Sequence, residues 1–120
     1  MSPFAHITGW GMAAPEHVMT NTDLEKIVET SDEWIRERTG IYERRIAGDN
    51  DTTTSMAYKA ALKALQLADA DPARVELIIV ATMTPDRVMP STAATVQDML
   101  GATHAAAFDM NAACSGFVYA

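Results

Sequence analysis

Leu77-Ile78-Ile79-Val80-Ala81 is the stretch on which the fold turns. It is an unbroken apolar run, and three of its members are β-branched. A strand with one wet face alternates apolar and polar residues, whereas an unbroken run suits a strand covered on both faces, as in a parallel sheet. Parallel strands need crossover connections, usually helical. The flanks offer such helices. Upstream, residues 53–70 place Ala57, Ala61, Ala64, Leu65 and Ala68 on one stripe, with Lys59, Lys63 and Gln66 opposite. A stripe made mostly of alanine lets a neighbour come close. Asp71-Pro72 ends this helix and starts a short turn, with Asp71 as cap and Pro72 first in the turn. Downstream, Ser91 caps a helix that stops at Gly101. Residues 105–110 read as the next strand, and Cys114 opens a further helical segment. Strands alternate with helices, so the fold class is α/β.

The N-terminal part reads less regularly. Residues 4–14 mix β-branched and aromatic residues with glycines and are expected to form a first strand. Thr20-Asn21-Thr22-Asp23 offers helix caps, and residues 24–29 read as a short helix. Thr30-Ser31-Asp32-Glu33 has the form of a capping box, a hydroxyl with a glutamate three residues on. The helix it opens stops at Gly40. Residues 41–47 read as a strand, and Gly48-Asp49-Asn50-Asp51 as a turn.

Composition narrows the function. The 120 residues are 48% hydrophobic and 21% charged, close to an average globular protein with room for a core. A net charge of −7 argues against nucleic acid or an anionic membrane surface as partner. No apolar run approaches the roughly 18 residues that span a membrane. The start, Met1-Ser2-Pro3-Phe4, has no basic segment followed by an apolar one, so no secretory leader is read there. The single cysteine excludes an internal disulfide and fits a reducing, cytoplasmic setting. His6, His17 and His104 have no metal-ligand spacing, so no metal is expected.

Asp109-Met110-Asn111-Ala112-Ala113-Cys114-Ser115-Gly116-Phe117 is the most informative segment for chemistry. A strand ends, small residues turn the chain, and a cysteine stands where a helix starts. A helix N-terminus presents unpaired N–H groups and partial positive charge, which favours a thiolate. Spacing alone favours the plainer reading of a buried structural cysteine. Gly9-Trp10-Gly11-Met12-Ala13-Ala14 fits a loose dinucleotide-binding pattern, but Pro15 interrupts where a helix would have to open, so the glycines are read as a bend. Trp34 and Arg38 lie four apart and share a helix face. An indole beside a guanidinium can stack on a base and pair with phosphate. Taken alone, Trp34 reads as a core anchor, Arg38 as a surface charge and Thr30 as a cap.

Together these segments resemble one family. Gly9-Trp10-Gly11-Met12, Thr30-Ser31-Asp32-Glu33-Trp34-Ile35, Arg38-Thr39-Gly40-Ile41, Ile79-Val80-Ala81-Thr82 and Asn111-Ala112-Ala113-Cys114-Ser115-Gly116-Phe117 are similar to β-ketoacyl-acyl-carrier-protein synthase III. The resemblance runs along the whole chain, in order. It implies a thiolase-like fold, five alternating αβαβα layers when complete, of which residues 1–120 would be most of the N-terminal half. It implies Cys114 as the acyl-accepting nucleophile at the head of a buried central helix, which reverses the plainer reading. Members move a short acyl group from acyl-coenzyme A to this cysteine and condense it with malonyl-acyl-carrier protein, initiating fatty acid biosynthesis. No cofactor is implied beyond these two thioester substrates. Trp34 would stack on the adenine of coenzyme A, with Arg38 and Thr30 on its nucleotide or phosphate part. Met89 would line the end of the acyl pocket, reaching in from the partner subunit of a homodimer.

One departure accompanies the match. The family's decarboxylating histidine and asparagine lie in motifs that this chain does not show, and none of His6, His17 and His104 matches them. Residues 1–120 alone are therefore expected to be inactive and to expose apolar surface. Two alternatives stay open: a non-catalytic acyl-binding or dimerisation protein, and a sister condensing enzyme with another acyl preference.

Overall fold

The structure, a computed structural model, describes residues 4–120 and divides into two units of chain. Met1-Ser2-Pro3, on which part of the leader reading rests, lie outside the described residues.

Ala14–Asp51 is the first unit. It contains β1 (Val18–Thr20), α1 (Asn21–Glu25), α2 (Asp32–Thr39) and β2 (Glu43–Arg45). β1 and β2 pair antiparallel, with Val18 opposite Arg45 and Thr20 opposite Glu43. Thr20 ends β1 and caps α1: its hydroxyl accepts from the Asp23 N–H, and the Asp23 carboxylate accepts in return from the Thr20 N–H at 3.2 Å. The Thr20 hydroxyl, then Lys26, hold the Asp23 carboxyl at about 2. Ser31 caps α2 by accepting from the Trp34 N–H at 3.1 Å. Acidic Asp32 and Glu33 open the helix and basic Arg36 and Arg38 close it, as its dipole favours. Gly40 ends it at φ 71°, a conformation glycine adopts without strain.

Three expectations change here. The helix read over 24–29 is α1, shifted toward the N-terminus and ended at Lys26, because Thr20 rather than a later residue is the cap. The box read at Thr30 and Glu33 does not form. Ser31 is the cap, so the reciprocal position falls on Trp34, which has no acceptor to return the bond. The strand read over 41–47 is three residues long, the length that β1 can pair.

The second unit is Thr52–Ala120 with the described residues up to Ala13. It holds α3 (Thr53–Ala68), a short 3-10 turn (Pro72–Arg74), β3 (Leu77–Ala81), α4 (Thr92–Leu100), β4 (Ala106–Met110), a second 3-10 turn (Ala113–Ser115) and α5 (Gly116–Tyr119). β3 and β4 pair parallel from Leu77 opposite Ala106 to Ala81 opposite Met110, so β3, α4 and β4 form the expected crossover unit. α4 packs on α3, β3 and β4, and its Ala93 and Val96 are the buried centre, with Ala102 just beyond its end. The stripe on α3 is half-buried, and Lys59, Lys63 and Gln66 are exposed opposite it.

Residues 4–14 form no strand, because no strand among the described residues pairs with them. Around Gly9 and Gly11 they pass instead close to α3, beside Ala60, Ala64 and Ala68. A Cβ on Gly9 would collide with the Ala64 carbonyl and one on Gly11 with the Ala60 carbonyl, so these glycines are required by close approach. Lys63 Nζ donates to the Met12 carbonyl at 2.8 Å and fixes the same contact. The apolar run of β3 is not covered on both faces within the described residues: Ile78, Ile79 and Val80 are half-buried and Leu77 is exposed.

Candidate functional site

Each long helix of the second unit begins on a carboxylate from elsewhere in the chain. Asp86 accepts from the Thr53 and Thr54 N–H groups at 2.8 and 2.9 Å, at the start of α3. Asp109, in β4, accepts from the Thr92 and Ala93 N–H groups at 2.8 and 2.7 Å, at the start of α4. Ser91 adds the expected cap, accepting from the Ala94 N–H at 3.1 Å. Asp109 thereby ties the end of β4 to the start of α4, and β4 delivers the chain to the cysteine. The capping role of neither aspartate was legible in the sequence, since each lies far along the chain from the helix it serves.

Beyond β4 the chain turns sharply. Ala113 has φ 45°, in the left-handed region that costs a residue other than glycine about 1–3 kcal/mol. Cys114 follows it, exposed, inside the 3-10 turn rather than at the first position of an α-helix. The Ser115 N–H closes that turn on the Ala112 carbonyl at 3.0 Å. Gly116 is buried against β3, and a Cβ there would lie 2.9 Å from the Ala81 Cβ. The turn is thus seated by Gly116 and strained at Ala113, and the thiol between them stays open. A buried helix was expected after Cys114. Within the described residues α5 is four residues long, and of these only Gly116 is buried; Phe117 is 90% exposed. The covering layers that the resemblance implies are not among the described residues.

Met89 belongs to the same unit. It is exposed and shares an open groove with Thr82, Pro90, Phe108, Asp109 and Asn111. The groove therefore reaches Asn111, three residues before the cysteine. Cys114 itself is not among the residues that line it.

Thr30, Trp34 and Arg38 all belong to the first unit. The Arg38 guanidinium lies over the Trp34 ring, 5.8 Å from its centroid. Trp34 is 55% exposed, so the plainer reading of a core anchor does not hold; Ile35 fills that role. Thr30, Ser31 and Trp34 line one shallow pocket with Glu29. The four-residue spacing and the free face of α2 thus bring the three together as a flat indole, a cation and a hydroxyl. On the other side of α2, Arg36 stacks on Tyr42 at 4.5 Å and pairs with Asp32 at 3.3 Å. The Asn21 side-chain amide, then Arg36, hold the Asp32 carboxyl below the usual range. Among the described residues no group of three His, Cys, Asp or Glu side chains is placed to hold a metal ion.

No protein-family profile matches the chain. Individual proteins do. The β-ketoacyl-[acyl-carrier-protein] synthase III of Roseiflexus castenholzii is 60% identical over 119 residues, covering 99% of this chain and 36% of the relative. The crystal structure of 3-oxoacyl-[acyl-carrier-protein] synthase III from Aquifex aeolicus superposes with a TM-score of 0.91 at 56% identity, over 95% of this chain and 37% of that one. The priming β-ketosynthase of the R1128 polyketide pathway superposes with a TM-score of 0.92 at 36% identity, over 95% of this chain and 34% of that one. The chain therefore spans little more than a third of the length of the relatives it matches. In sequence and in fold it corresponds to the N-terminal part of a β-ketoacyl-[acyl-carrier-protein] synthase III, a thiolase-like condensing enzyme.

Proposed function

We propose that this chain carries the acyl-accepting half of a β-ketoacyl-acyl-carrier-protein synthase III reaction, the condensation that initiates fatty acid synthesis. The Cys114 thiolate attacks the thioester carbonyl of a short acyl-coenzyme A, and coenzyme A leaves as its thiol. Malonyl-acyl-carrier protein then loses carbon dioxide, and the resulting carbanion equivalent attacks the acyl-cysteine. The Cys114 sulfur leaves, and a 3-oxoacyl-acyl-carrier protein results. One difficult condensation becomes two easier steps. The backbone N–H of Cys114 serves as one donor to the oxyanion, where fixed dipoles stabilise developing charge. Decarboxylation needs further donors on the malonyl thioester, and none of His6, His17 and His104 is assigned that task. Trp34, Arg38 and Thr30 hold coenzyme A, and Met89 lines the acyl pocket across a homodimer interface. The reaction needs no cofactor beyond its substrates and is placed in the cytoplasm.

The observation that carries this reading is the Cys114 turn. A strained Ala113 and a buried Gly116 hold an exposed thiol at the end of a parallel strand. Strain of this kind collects at sites where geometry serves function. The test is intact-protein mass spectrometry of the complete synthase with acetyl-coenzyme A. One acyl adduct is expected, mapping to Cys114 and absent in Cys114→Ala. An adduct that persists in Cys114→Ala would overturn the assignment.

The likeness to a priming β-ketosynthase of a polyketide pathway favours a second reading, a sister enzyme with a different primer. Turnover of a series of acyl-coenzyme A primers of rising length separates the two.

A further inference from the structure

Asn21 is the most deeply buried polar residue of the first unit, at 1% exposure, and its side chain donates both amide protons and accepts at its oxygen. Its Nδ2 donates to Asp32 Oδ1 at 2.8 Å and to the Ile41 carbonyl at 2.8 Å. Its Oδ1 accepts from Arg44 Nη2 at 2.7 Å. Only this orientation works. Turning the amide over would set an oxygen against two acceptors and an NH2 against a guanidinium. Asp32 is the first residue of α2, and Ile41 lies two residues past its last. One side chain therefore holds both ends of the helix that displays Trp34 and Arg38. The Asp32 N–H, held by Glu25 Oε1 at 2.6 Å, reinforces the first of these anchor points.

We propose that Asn21 is a positioning residue for the acyl-coenzyme A substrate, pinning both ends of α2 so that Trp34 and Arg38 stand at a fixed offset from Thr30. The inference rests on the reading of that face as the coenzyme A site. A stacking platform and a cation select a nucleotide only when their spacing is set before it arrives, because ordering them on binding costs affinity. α2 is two turns long and only its Ile35 is buried, so packing alone holds it weakly. A satisfied buried amide supplies the missing constraint. Replacing Asn21 by aspartate removes both donors and sets a second carboxylate against Asp32. It leaves a partner for Arg44.

The test measures KM for acyl-coenzyme A and for malonyl-acyl-carrier protein in the complete synthase. Asn21→Asp is expected to raise the first by roughly tenfold or more, the size of losing one charge-assisted contact to the nucleotide. KM for malonyl-acyl-carrier protein and kcat at saturation should stay within about twofold. The exchange Asn21→Asp with Asp32→Asn restores one donor–acceptor pair and should recover part of the loss. An unchanged KM for acyl-coenzyme A, or an equal rise for both substrates, would overturn the proposal, the second because it marks mere support of the fold. If Asn21→Asp does not accumulate folded, Asn21→Ser, which keeps one donor in a smaller side chain, carries the same comparison with the same outcomes. Trp34→Ala runs alongside. If it leaves KM for acyl-coenzyme A unchanged, the coenzyme A face itself is wrong, whatever Asn21 does.

Discussion

At the residue scale, the assignments on α2 and beside β4 lead to separable losses. Trp34→Ala removes a stacking platform worth on the order of 1 kcal/mol. Arg38→Ala removes a charge-assisted contact worth about 1.5–3 kcal/mol. Both side chains are exposed, so thermal stability should hardly move. KM for acyl-coenzyme A should rise more than KM for malonyl-acyl-carrier protein, and steady-state kinetics with each substrate varied in turn checks this. Equal rises would mark a folding effect instead. Met89 calls for a different measurement. It stands at an open groove, and a flexible thioether vacates space that a rigid ring fills. Met89→Phe should shorten the longest primer accepted, read from product chain lengths. An unchanged profile would place Met89 outside the pocket.

At the scale of elements, the sequence was most legible where a helix or strand is set by its own residues. The alanine stripe of α3, the Ser91 and Gly101 limits of α4 and the Gly40 stop of α2 each stand as read, and Leu77–Ala81 is a parallel strand as read, though not covered on both faces within the described residues. It was least legible where a distant partner decides. Residues 4–14 have strand composition, but their neighbour is α3, which they approach closely at Gly9 and Gly11 while Phe4, Ile7, Trp10 and Met12 stay exposed. Ala113 takes a backbone conformation that its side chain gives no hint of. Asn21 looked like one cap candidate among four and proved to be the buried tie of its unit. The start of α3 shows how such a partner registers in solution. The Thr54 hydroxyl first, then the Thr54 N–H, the Thr52 hydroxyl and the Thr53 N–H, hold the Asp86 carboxyl at about 2. An unfolded aspartate titrates near 4, at about 3.9. The folded value is the lower one, so this contribution to stability is complete above about pH 4 and is lost as pH falls toward 2. Asp86→Asn should flatten that part of the acid-unfolding profile, measured by circular dichroism against urea. A variant that keeps the full acid dependence would show that Asp86 is not its source.

At the scale of the molecule, the two carboxylate clamps have a consequence in time. Asp86 lies 33 residues after the helix start it caps, and Asp109 lies 17 residues after its own. During synthesis the first turn of α3 therefore waits for the loop after β3, and that of α4 waits for β4. Each helix has a local cap, Thr52 or Ser91, but its first N–H groups are met in full only by the later carboxylate, so the second unit is expected to complete its folding late. Asp86→Ala and Asp109→Ala should each slow refolding, and the double variant should cost less stability than the two singles added, since breaking either clamp already loosens the shared α3–α4 packing. Strict additivity in denaturant melts would mean that the clamps act independently. The thiol-bearing turn comes after both. Asp109 ties the end of β4 to α4 just before the chain turns to Cys114, so on an unfinished chain the turn that carries this thiol is expected to take its shape only after that clamp has closed.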